Sequence, residues 1–133
     1  MKTAIMVTRG AVSITGLTQI VMGVLFWTGH AMALVPAHMV IGFVFVLGLW
    51  TLAVLAARAG APRGLVAFAL VWGLVVPAFG FAQLQLLPGP LHWIIRVVHL
   101  LIGMVAMGLA DALFKRSRAS TGAVPSRTPR PAF

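Results

Sequence analysis

The chain has 133 residues, 61% of them apolar and 8% charged, with ten lysines and arginines against one acidic side chain and a formal net charge of +9. That balance excludes an ordinary water-soluble domain, in which about 25% of residues are charged. The absence of cysteine excludes disulfides, iron–sulfur clusters and haem attached through a C-x-x-C-H motif.

Four long apolar stretches follow one another at about 11–29, 35–57, 65–87 and 91–114. Each approaches the roughly 20 residues that cross a hydrocarbon core about 30 Å thick. Backbone amides in lipid must be satisfied within the segment, and none of the four alternates with period 2 as a barrel strand does. The expected fold is therefore all-α, a four-helix transmembrane bundle over residues 1–116 with short loops.

Lys2 and Arg9 precede the first stretch, and Ala31-Met32-Ala33 after it resembles a secretory cleavage site. The apolar run is longer than the roughly 7–15 residues of a signal h-region, so it is read as a span. The second stretch opens near Pro36, a common helix-start residue, and carries His38 and Gly42. Arg58 and Arg63 lie in the loop that follows. On the third stretch Pro77 is expected to kink the helix and free a carbonyl near Gly73, and Gln83 and Gln85 lie near its end. The fourth carries His92, Arg96, His99 and Gly103 at i, i+4, i+7 and i+11, one stripe of one helix. Asp111 is expected to pair with a nearby base such as Lys115. Residues 117–133 turn to Ser, Thr, Pro and Arg and are read as a disordered basic cytoplasmic tail.

Lys115, Arg116 and Arg118 follow the fourth stretch, whereas the loops at 29–36 and 87–90 hold no Lys or Arg. Both termini are thus expected in the cytoplasm of a bacterial inner membrane, with all four histidines toward the outer side. The basic residues frame apolar spans, so anionic inner-leaflet lipid is the expected partner and nucleic acid is not.

The run from His38 to Val44 matches that from His99 to Val105 in its His, Ile, Gly and Val. Gly16 and Gly23 have the same spacing as Gly73 and Gly80. Two pseudo-repeated helical hairpins related by an axis along the membrane normal are expected, with His38 and His99 facing one another at depths that differ by roughly 6 Å before tilt. Two axial imidazoles from facing helices are what a haem iron in a bundle core requires. Gly42 and Gly103, one turn deeper, would let a flat macrocycle approach the backbone, and Arg96 would pair with a propionate. His30 and His92 sit at helix ends, as rim residues or as ligands of a second, shallower haem.

The constellation of His38, Gly42, Arg96, His99 and Gly103 on four spans resembles a four-helix b-type membrane cytochrome, with the likeness covering residues 1–116 as architecture. The resemblance implies non-covalent haem b and oxidoreductase chemistry, with single electrons passed to or from a quinone or quinol, Gln83 and Gln85 being candidates to bond its oxygen. Two-haem members place ligands near both membrane faces; this chain has no histidine in its inner half, which implies one outer haem or two crowded outward. Two other readings stand beside it. His30-Ala-Met32 and His38-Met39 bring imidazole and thioether ligands that suit copper, and a chain of this size also fits an accessory subunit of a respiratory or photosynthetic complex, or a homo-oligomer.

Overall fold

The computed structural model describes residues 1–122, and there the chain forms α1 (Lys2–Trp27), a 3₁₀ turn (Met32–Leu34), α2 (Val35–Arg58), α3 (Arg63–Ala82) and α4 (His92–Gly122). All four α-helices are long and apolar enough to cross a membrane. The expected all-α, four-helix transmembrane bundle is the observed architecture.

Element ends differ from the expected ones for local reasons. α1 begins at Lys2, so Arg9 lies inside it; apolar content marks where lipid begins, whereas the helix extends past that boundary. α3 stops at Ala82, and the chain then passes through a turn and through Leu87 (φ 43°) and Gly89 (φ 96°) before α4, backbone that a right-handed helix excludes. α4 continues to Gly122. Residues 117–122 of the expected tail are thus helical, and the Ser117 hydroxyl donates to the Leu113 carbonyl at 2.7 Å. The remainder of that tail, 123–133, lies outside the described residues.

Two helices end in the same way. His30 N–H donates to Leu25 O at 2.8 Å and Ala61 N–H to Ala56 O at 2.9 Å, each closing over a glycine of positive φ, Gly29 and Gly60. This six-to-one bond with a left-handed glycine caps carbonyls that the helix end leaves open. It also reverses the chain tightly, placing α2 against α1 and α3 against α2.

The helices pack in a ring, α1 to α2 to α3 to α4 and back to α1, and α2 also touches α4 across the diagonal. Fully buried alanines make that approach close: Ala53 and Ala56 on α2, Ala106 and Ala110 on α4. In lipid, where apolar burial drives helices together little, small residues and the van der Waals contact they permit hold helices instead. Leu49, Leu52 and Leu113, at 0% exposure, fill the same layer. Indole N–H groups add ties between helices: Trp50 Nε1 donates to Leu70 O at 3.1 Å and Trp72 Nε1 to Ile102 O at 3.0 Å.

The end that carries the basic residues is further closed by Asp111. Its carboxylate takes Arg9 of α1 at 3.0 Å and Lys115 at 2.7 Å, so the expected Lys115 pair forms and a second cation joins it from another helix. Arg9 also bonds Ser13 and lies 5.9 Å from the Phe114 ring centroid. Toward the opposite end, buried hydrophobic side chains thin to Met22, Ile95 and Ile102. There the bundle is hollow.

Candidate functional site

The hollow end is a cavity of about 350 Å³ that takes wall from all four helices. Its size is within the roughly 300–1,000 Å³ of small-molecule sites. Phe45 and Met107 lie at the packed end of its wall, and Trp27, Gln83, Leu84 and His92 at the other.

His38 and His99 stand in this cavity on the two helices that touch across the diagonal. Their ring centroids are 6.3 Å apart with planes inclined at 48°. The expected difference in depth does not separate them. Each ring rests on a phenylalanine of the preceding helix, Phe26 edge-on to His38 at 5.3 Å and Phe79 stacked on His99 at 6.0 Å. The two hairpins therefore present their histidines in a similar setting. Nδ1 of both rings is buried without a hydrogen-bond partner. Buried polar atoms are ordinarily paired, and these two have no partner among the described residues.

Gly42 and Gly103 both line the cavity, but their surroundings differ. A Cβ at Gly103 would meet nothing within 4 Å, whereas one at Gly42 would come 2.5 Å from Nε2 of Gln19. Open space for a flat group beside a glycine exists on the α4 side; on the α2 side the amide of Gln19 occupies it. Gly80 on α3 is a third such wall position, where a Cβ would lie 3.6 Å from His99 Cε1.

The rim histidines are held locally. His30 is exposed and its Nδ1 is 3.0 Å from Thr28 Oγ1, outside the residues that line the cavity. His92 lines the cavity and its Nδ1 lies 3.2 Å from Leu86 O. Arg96 is exposed at the cavity wall. The single acidic side chain of the sequence is already paired at the other end of the bundle, so a carboxylate or phosphate facing Arg96 must come from a bound group or a lipid. Of the two amides near the end of α3, Gln83 lines the cavity; Gln85 is exposed in the loop beyond.

One cavity residue escapes the sequence pattern. Gln19, in the middle of α1, donates from Nε2 to the carbonyl oxygen of His38 at 2.8 Å and leaves Oε1 buried and unpartnered. Its signal in the sequence was an amide in the middle of an apolar span, a costly placement that ordinarily has a partner or a function.

Compared with protein families, with characterised proteins and with solved structures, the chain gives no match.

Proposed function

We propose that the chain is a b-type membrane cytochrome, holding one haem b between His38 and His99 and exchanging single electrons with a quinol. The observation that carries this reading is the ring pair. Two imidazoles holding one metal between them, each with a nitrogen about 2 Å from it, would have ring centroids about 6 Å apart. The observed separation is 6.3 Å.

The donor set favours haem over a bare ion. Among the described residues no three His, Cys, Asp or Glu side chains gather to hold a metal, so two imidazoles need a group that brings the remaining ligands, as a porphyrin does with four nitrogens. Phe26 and Phe79 fix the planes of the ligating rings. The open wall at Gly103 leaves backbone within reach of a flat macrocycle, and Arg96 supplies a planar cation for a propionate carboxylate. The walls around the pair are mostly apolar. His38 and His99 would hold the haem, which would supply one-electron chemistry there.

The distribution of basic residues supports a bacterial cytoplasmic membrane with the cavity facing outward. A copper(I) reading has one specific observation in its favour: Met32 and Met39 line the same cavity as His38, and thioethers with imidazole suit that ion. The visible spectrum of protein purified in detergent separates the two. A sharp, split alpha band on reduction is expected; a colourless preparation that takes up copper and not haemin would overturn the haem reading.

A further inference from the structure

Away from the cavity, α2 carries a shallow groove of about 410 Å³ lined by Leu47, Trp50, Thr51, Val54, Leu55 and Arg58. These positions share one face of the helix, turned away from the buried Leu49, Leu52 and Ala56. Its two hydrogen-bond donors above Arg58 are already bonded within the protein, Trp50 Nε1 to Leu70 O and the Thr51 hydroxyl to Leu47 O at 2.8 Å. The groove is therefore apolar in what it asks of a ligand until it ends at a cation. Nothing among the described residues pairs with the Arg58 guanidinium. The carbonyls of the last turn have no need of it, since the N–H groups of Ala59, Gly60 and Ala61 bond Leu55, Ala56 and Ala57. Asp111, the single acidic side chain of the sequence, is engaged by Arg9 and Lys115, so a second copy of the chain would bring this groove more cations and no free carboxylate side chain. The counter-charge must come from another molecule.

From Leu47 to Arg58 the groove runs about 16 Å at the helical rise of 1.5 Å per residue, close to half of a hydrocarbon core about 30 Å thick. It has the length of one leaflet's acyl layer, with its positive charge at the headgroup end. We infer that the groove binds one anionic phospholipid of the leaflet at the packed end, its phosphate bonded by Arg58 and an acyl chain lying past Val54 and Trp50 to Leu47. The planar guanidinium bonds phosphate oxygens through two parallel N–H groups. A zwitterionic lipid fits the same groove but brings an ammonium of its own toward the guanidinium, so the site selects a headgroup of net negative charge. This inference is independent of what the cavity at the other end binds.

The test uses the full chain in phosphatidylcholine bilayers that contain a small, fixed mole fraction of lipid brominated at mid-chain, either phosphatidylglycerol or phosphatidylcholine. Bromine quenches an indole it touches, and Trp50, about 12 Å deeper than Arg58 along the helix, is the reporter. The same measurement on Trp50→Phe subtracts the signal of Trp27, Trp72 and Trp93. Comparing the two lipids on one protein preparation cancels quenching by any bound cofactor. Brominated phosphatidylglycerol is expected to quench Trp50 as though present at about fivefold higher mole fraction, the contribution of one basic residue near an anionic headgroup. Arg58→Gln should bring the two lipids level. Arg118→Gln, which removes an exposed charge at the same end of the bundle but on α4, should keep the preference. Equal quenching by the two lipids in the unmodified protein overturns the inference, as does a preference that survives Arg58→Gln. A preference lost equally with Arg118→Gln overturns it too, because net charge alone would then gather the lipid.

Discussion

A histidine inside a membrane is tolerated when its ring nitrogens have partners, and the four rings of this chain divide on that count. His30 and His92 bond Thr28 and Leu86, whereas the Nδ1 atoms of His38 and His99 have no partner among the described residues. His38→Ala and His99→Ala should each abolish the low-spin haem spectrum, with His30→Ala and His92→Ala retaining it; equal loss from all four would sink the ligand assignment. The two glycines one turn on from His38 and His99 give a second contrast. Gly42→Ala displaces the Gln19 amide, at a cost of about 1–3 kcal/mol for a stranded buried group, offset by up to about 1 kcal/mol of helix propensity. Gly103→Ala meets no protein atom and gains the propensity alone. Thermal unfolding of the haem-free protein in detergent should show a lower midpoint for the first and an unchanged or higher one for the second, while haem retention falls in the second because its methyl enters the open wall. Midpoints moving together would show that Gly42 does not serve Gln19.

Between helices, the same logic of a small residue admitting a larger neighbour joins α2 to α3. Trp50 lies against Gly73, close enough that a methyl there has no room, and its indole N–H reaches Leu70 O. Trp50→Phe removes one hydrogen bond, worth about 0.5–1.5 kcal/mol, while Gly73→Ala overpacks the contact and should cost about 1–3 kcal/mol. Gly23→Ala, at a position with nothing within 4 Å, is the control. Circular-dichroism melts in one detergent should rank the stabilities as Gly23→Ala above Trp50→Phe above Gly73→Ala, and a Gly73→Ala protein as stable as the control would refute the packing account. The spans themselves were legible because lipid imposes length and apolarity on each helix independently of its neighbours. His38 and His99 were legible because a repeated motif placed them in corresponding turns. Gln19 was not, since its meaning lies in a carbonyl of another helix, and the partnering of Trp50 with Leu70 was hidden for the same reason. Arg9 was read as a flanking charge because its pairing with Asp111 joins the two extremes of the described chain, a separation that no local spacing reports.

The molecule as a whole is polarised along its axis. Small alanines, the leucine layer and the Arg9–Asp111–Lys115 cluster close one end, and this packed end holds the four helices in place while they enclose a cavity at the other. Lys2, Arg9, Arg58, Arg63, Lys115, Arg116 and Arg118 all belong to the packed end, against Arg96 at the hollow one. Positive charge near helix ends is retained on the cytoplasmic side, so the cavity should open outward and, on the proposed reading, would receive its reductant from the outer leaflet. The absence of cysteine from the sequence makes this directly measurable, because any introduced thiol is unique. Gln85→Cys, in the exposed loop at the cavity end, should react with a membrane-impermeant maleimide in intact spheroplasts of a bacterial host. Pro62→Cys, exposed at the packed end before α3, should react only after the membrane is permeabilised. The reverse pattern would turn the cavity toward the cytoplasm, leave the bundle and its histidine pair unaltered, and require the electron donor to be sought on the inner side.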